Sequence, residues 1–344
     1  MRFLLFLYFI KVSLCFKISK FTKINKGCNV ALVTPMHENG NIDHKSFYNL
    51  IKWQIKEQTK GIVILGSTGE SNTLNQTEKN VLTYNAKKIT ENKVPLIVGT
   101  GGCNIDETIK NTIDAITFGA DACMIVTPYY SKPPQKALIK YYKTICNKVK
   151  DYCKIYDRES FPIILYNVPS RTGINLEIDT IREIAKDDCI IGIKDCSDDI
   201  NRLYNLKTID DFMVFCGEDS QSCLWINNDA DGVISVTANI IPRFMNRMIE
   251  ESFRKSIYSY KLNNLISNIN KDLFIETNPI PVKWCLKNMN KIDSDFLRLP
   301  LERLNEKYHK KLENSLKYLN KYFINSLNIT LEIYLTITDL FIYL

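Results

Sequence analysis

Histidine is nearly missing from these 344 residues: His37, His44 and His309 are the only three, and none follows a predicted strand beyond the first loop. Nor do His, Cys and Asp cluster at metal-ligand spacing, so no metal is expected and a zinc-dependent aldolase is disfavoured. No Gly-rich loop ends in Gly-Lys-Ser or Gly-Lys-Thr, which argues against nucleoside triphosphates. No Gly-x-Gly-x-x-Gly follows the first predicted strand, which counts against a dinucleotide fold. No cofactor is therefore expected. Cys-x-x-Cys pairs are missing too, although the chain has 11 cysteines. Several lie in apolar runs, such as Cys123, Cys189 and Cys216, where they read as small core hydrophobes. An odd count in a long chain points to a reducing compartment.

Acidic residues are missing from positions 1–26, which hold Arg2, Lys11, Lys17, Lys20, Lys23 and Lys26. Taking those six from the 45 Lys and Arg leaves 39 against 38 Asp and Glu, so the body is nearly neutral and nucleic acid is not an expected partner. The apolar stretch from Phe3 to Phe16 is interrupted by Lys11 and is shorter than the about 20 residues a membrane span needs. A basic start, a short apolar region and an acid-free, hydroxyl-bearing continuation suggest a secretory-type signal joined to a transit-like piece. Plastid import is the expectation, a cytoplasmic location the alternative, and the mature protein is not expected to span a membrane.

Eight short β-branched runs are predicted as strands: 28–34, 61–66, 95–100, 122–127, 162–167, 189–194, 212–216 and 232–237. Helical patterns lie between them, at 44–58, 76–90, 106–118, 134–148 and 175–186. The strands mostly lack polar alternation, as in a parallel sheet buried on both faces. The economical closure is a (β/α)8 TIM barrel over residues 27–255. Residues 256–322 read as a C-terminal helical appendix, residues 1–26 as a targeting segment, and 323–344 as an apolar tail of unassigned role.

Chemistry gathers at the predicted carboxyl ends of the strands, where barrels of this kind place their functional side chains. Ser67 and Thr68 end the second strand, Tyr129 and Tyr130 follow the fourth, Tyr166 ends the fifth, Lys194 ends the sixth, and Gly217 and Glu218 follow the seventh. A lysine buried without a partner tends to lose its proton and become a nucleophile toward ketones and aldehydes. An uncharged amine at Lys194 is accordingly expected, with a phenol passing protons beside it. Arg171 could instead merely pair with Glu177 or Asp179.

The stretches Ala31-Leu-Val-Thr-Pro-Met, Gly66-Ser-Thr-Gly-Glu-Ser, Val126-Thr-Pro-Tyr-Tyr, Tyr166-Asn-Val-Pro-Ser-Arg-Thr-Gly, Gly192-Ile-Lys, Gly232-Val-Ile-Ser-Val-Thr-Ala-Asn and Asn278-Pro-Ile-Pro-Val-Lys-Trp carry a resemblance. From residue 27 to about 305, the chain resembles the dihydrodipicolinate (4-hydroxy-tetrahydrodipicolinate) synthase family of pyruvate-dependent Schiff-base aldolases. The resemblance implies that Lys194 condenses with pyruvate and that the enamine adds to L-aspartate 4-semialdehyde, the first committed step toward diaminopimelate and lysine. Tyr166 would transfer protons, linked through Ser67 to Tyr130 of a neighbouring subunit. Thr68 would bind the pyruvate carboxylate and Arg171 the carboxylate of the semialdehyde. The carbonyls of Gly217 and Ile234 would line the pocket, and the assembly would be a homotetramer built as a dimer of dimers. The Ser-Arg-Thr-Gly stretch favours this reaction over its alternative, cleavage of a 2-keto-3-deoxy sugar acid or N-acetylneuraminate.

The chain departs from the family pattern at several points. Ser67 replaces a usual threonine, Asp195 a usual glutamate and Cys196 a usual small residue. In the cleft where the family binds inhibitory lysine, Ser71, Glu107 and Tyr129 match, whereas Gln76, Lys79 and Cys103 do not. Lys79 would repel the ammonium of the inhibitor, so weak or absent feedback by L-lysine is expected.

Overall fold

Runs such as Ile-Ile-Leu-Tyr-Asn and Ala-Cys-Met-Ile-Val are too short for helices and too apolar for surface strands, so each must be covered on both faces. The computed structural model describes residues 24–91, 93–319 and 321, and there eight such runs form one closed parallel barrel. The strands are β1 (Gly27–Ala31), β2 (Gly61–Ile64), β3 (Leu96–Gly99), β4 (Ala122–Val126), β5 (Ile163–Asn167), β6 (Ile190–Asp195), β7 (Met213–Cys216) and β8 (Gly232–Ser235). Each pairs with its successor, and β8 closes on β1 with Gly232 opposite Gly27. The expected (β/α)8 barrel is the observed architecture.

Side chains alternate between two cores, because successive residues of a strand point to opposite faces. Inside the barrel lie Ala31, Val63, Ile97, Met124, Ile164, Phe215 and Ile234. Outside, under the helices, lie Val30, Ile62, Cys123, Ile125, Ile163, Leu165 and Ile193. Both faces are therefore apolar, and each fully buried Ile or Leu contributes about 1.5–3 kcal/mol. Cys123, Cys189 and Cys216 belong to the outer core, and every cysteine among the described residues is free.

Local signals fix the helix starts. Asp43 accepts from Ser46 N at 2.9 Å ahead of helix His44–Lys56. Asn75 and Glu78 form a reciprocal capping box on helix Gln76–Thr90, and the Asn104 side chain caps Ile105–Thr117. Two predicted helices differ from the observed ones. The fourth runs on to Lys154. The one predicted over 175–186 shrinks to Ile178–Ile184, because Asn175 is engaged elsewhere: its Oδ1 accepts from Asn167 at 2.8 Å and its carbonyl from Gln135 at 2.9 Å. The first strand also ends sooner than predicted, since Val33 N leaves the ladder to donate to Asn239 Oδ1 at 3.2 Å.

After β8, helix Pro242–Phe253 packs against β1, and Ile257–Asp272, Ile280–Asn288 and a helix over 309–319 follow. Most of the targeting segment predicted at 1–26, and the tail at 323–344, lie outside the described residues. Among the described residues, no helix is long and apolar enough to cross a membrane.

Candidate active site

The β5–β6 register sets Tyr166 directly opposite Lys194, both pointing into the barrel. The lysine Nζ lies 4.6 Å from the centroid of the phenol ring, within cation–π range. Lys194 is 5% exposed and Tyr166 6%, and the two line a cavity of about 670 Å³ at the carboxyl ends of the strands. Next along β6, Asp195 has the opposite parity. It turns outward to accept from Arg202 Nε at 2.9 Å and Asn167 Nδ2 at 3.1 Å, tying the strand end to helix Ile200–Leu206.

Charge in the cavity corrects one expectation. Burial alone pulls the pKa of Lys194 down, but the anionic influence of Tyr166, Cys196, Glu218 and Asp219 outweighs it and holds the amine above its ordinary value. The resting group is thus an ammonium rather than a free amine. Burial pushes the Tyr166 phenol up, opposed by Lys194, and pushes the Cys196 thiol up to about 12. Both keep their protons at neutral pH, where Glu218 and Asp219 are the remaining acidic groups facing the amine. Burial raises those two carboxyls as well. A cavity of this charge favours a positive nitrogen at position 194 in any form, protonated amine or iminium.

Most other predicted residues meet at this cavity. Ser67 and Thr68 lie on its wall, and a hydrogen bond from the Ser67 side chain opposes the burial of the phenol. Arg171 lines the mouth, and its Nη2 donates to Asn278 O at 3.0 Å. Asp179 pairs with Arg182 instead, so the bland role for Arg171 does not hold there. Gly217 touches the lysine itself: a Cβ there would stand 2.1 Å from Cys196 Sγ and 3.1 Å from Lys194 Cε. Ile234 lies lower, as a fully buried member of the inner core rather than on the cavity wall. Tyr130 is 93% exposed and takes no part in the cavity of its own chain.

Sequence reasoning missed one wall. Residues 274–278 of the C-terminal region also line the cavity, and Asn278 Nδ2 donates to Thr68 Oγ1 at 2.9 Å. Farther on, Lys283 reaches across to Glu70 Oε1 at 2.7 Å and Thr34 O at 3.1 Å, with both charged side chains fully buried. The signal was the Asn278–Trp284 stretch, which belongs to the family resemblance but has no place in a barrel.

Long-range packing also assembles one group that sequence spacing does not show. Cys146, Asp187 and Cys189 bring their ligating atoms within 4.8 Å of one another. Lys150 already pairs with Asp187 at 3.0 Å, and the hydrogen bond with Cys189, together with burial, pushes the Cys146 thiol well above its ordinary range. The group is remote from the cavity.

Residues 25–319 match the sequence pattern of the Dihydrodipicolinate synthetase family. A 4-hydroxy-tetrahydrodipicolinate synthase of Coxiella burnetii is 40% identical over 294 residues, which are 85% of this chain and 97% of that protein. One from Buchnera aphidicola is 38% identical over 298 residues, covering 86% of this chain and 98% of the relative. The crystal structure of the chloride-inhibited dihydrodipicolinate synthase of Acinetobacter baumannii, complexed with pyruvate, superposes with a TM-score of 0.81 at 39% identity. It covers 86% of this chain and 99% of its own.

Proposed function

The chain belongs to the dihydrodipicolinate synthetase family, and on that premise we infer that it is a Schiff-base lyase whose nucleophile is Lys194. Its activity is 4-hydroxy-tetrahydrodipicolinate synthase activity, the condensation of pyruvate with L-aspartate 4-semialdehyde. The observation that carries the reading is the pairing of Tyr166 with Lys194 across β5 and β6, inside a cavity that Gly217 leaves open beside the amine.

The Lys194 ammonium first loses one proton through Tyr166 and Ser67; the free amine adds to the keto carbon of pyruvate, and a second proton moves from nitrogen to the new oxygen, forming a carbinolamine. Tyr166, hydrogen-bonded to Ser67, then returns the first proton to the hydroxyl, which leaves as water. The iminium then carries the positive charge that the ammonium carried, in the same field of Glu218 and Asp219, so the step needs no change in the net charge of the cavity. Loss of a methyl proton gives the enamine, whose carbon attacks the aldehyde. Closure by the amino group of the semialdehyde onto the iminium carbon releases Lys194. Thr68 holds the carboxylate of pyruvate, and the planar fork of Arg171 suits the carboxylate of the aldehyde.

Sodium borohydride added with pyruvate is expected to fix a reduced adduct on the peptide containing Lys194. An unmodified Lys194 sinks the reading. Exposure of Tyr130 supports a homotetramer, a dimer of dimers, in which this phenol enters the site of a second copy. Mixing inactive Tyr130→Phe and Lys194→Ala proteins is then expected to restore activity. The acid-free, basic first 26 residues support delivery to a plastid, which a fluorescent reporter fused to residues 1–40 tests.

A further inference from the structure

Asn278 belongs to the helical region after the barrel, yet it is 6% exposed and stands between the two residues read as carboxylate binders. Its Nδ2 donates to Thr68 Oγ1 at 2.9 Å, and its backbone carbonyl accepts from Arg171 Nη2 at 3.0 Å. Its own Oδ1 is buried and finds no donor among the described residues. An orphaned buried oxygen is unfavourable. Turning the amide by half a revolution would remove it, because Oδ1 could then accept the Thr68 hydroxyl proton. That rotation, however, would consume the only proton the threonine can donate.

We propose that Asn278 is a positioning residue: by donating to Thr68 it leaves the threonine proton free to be given to the carboxylate of the keto acid. The arrangement breaks a local rule of hydrogen-bond satisfaction at the point where a site needs it broken. A carboxylate ligand cannot use a hydroxyl that is already donating, so the direction of this one hydrogen bond sets the polarity of the subsite. The side chain acts through Thr68, while only the main chain of Asn278 engages Arg171. The keto-acid and aldehyde subsites are therefore separable by substitution. The inference rests on the reading of Thr68 as the ligand of the pyruvate carboxylate.

The test is steady-state kinetics of the full chain with each substrate varied, alongside borohydride trapping. Asn278→Ala is expected to raise KM for pyruvate roughly 3- to 10-fold, the worth of one neutral hydrogen bond, with KM for the aldehyde within about twofold of native. Asn278→Asp is expected to exceed Asn278→Ala, because an aspartate can only accept the Thr68 proton and adds a charge that repels the ligand. Thr68→Val/Asn278→Ala is expected to be no worse than Thr68→Val alone, as for two residues acting in series. An unmoved KM for pyruvate in Asn278→Ala, or multiplied effects in the double variant, overturns the inference while trapping on Lys194 stays intact. A native protein that traps no pyruvate overturns the underlying reading of the site, and this inference with it.

Discussion

Replacing Gly217 with alanine puts one methyl group where the geometry leaves no room. The backbone there needs no glycine on conformational grounds, so the whole effect comes from contact. The new carbon would stand 2.1 Å from Cys196 Sγ, 3.0 Å from Asp195 O and 3.1 Å from Lys194 Cε. The first distance is impossible, and the thiol must swing away, losing its hydrogen bond to Tyr166. The third pushes on the arm of the lysine. Overpacking of this kind costs about 1–3 kcal/mol, and displacing a reacting atom by about 1 Å lowers a rate by about 100-fold. We expect kcat/KM for pyruvate to fall roughly 10- to 100-fold, with borohydride trapping of Lys194 slowed in proportion. The decisive comparison is Gly217→Ala/Cys196→Ala. Removing the sulfur leaves only contacts that shifts of a few tenths of an ångström can relieve, so the double variant should outpace Gly217→Ala despite carrying one more substitution. Native trapping rates in Gly217→Ala, or a double variant slower than the single, would refute the reasoning.

Arg171→Lys keeps the charge but loses the planar fork, and with it a charge-assisted hydrogen bond worth about 1.5–3 kcal/mol. KM for the aldehyde should rise roughly 10- to 100-fold with little change in that for pyruvate, as measured by varying each substrate in turn. Lys283→Met strands Glu70 as a fully buried unpaired carboxylate, at about 3–5 kcal/mol by urea denaturation, and Glu70→Leu added to it should recover most of the loss. L-lysine should inhibit weakly or not at all, because Lys79, half-buried near Glu107 and Lys110, presents a like charge to the ammonium of the inhibitor. Strong inhibition at micromolar L-lysine in initial-rate assays would contradict that expectation.

The barrel was legible because its strands announce themselves twice, as β-branched runs and by their regular alternation with helices. Lys194 and Tyr166 were legible as residues at strand ends, but their mutual register was not. That register depends on which hydrogen-bond partners two strands choose across 27 intervening positions. The protonation of Lys194 was misread for a related reason. Sequence reveals that a run is buried, yet not that Tyr166, Cys196, Glu218 and Asp219, from neighbouring strand ends, surround the amine and together outweigh the loss of water. Asn278 and Lys283 were out of reach of local pattern altogether, since their partners Thr68 and Glu70 lie more than 200 residues away. Only the family resemblance marked that stretch.

The wall supplied by residues 274–278 has a practical consequence for anyone hoping to trim this protein. A fragment ending with the eighth repeat would keep every strand and every reacting group, yet it would open one side of the reaction chamber to water. It would also abandon Glu70 inside the fold without its counter-ion. The smallest piece competent for turnover therefore extends well past the last strand, and a miniaturised variant would have to rebuild that flank before its chemistry could be judged.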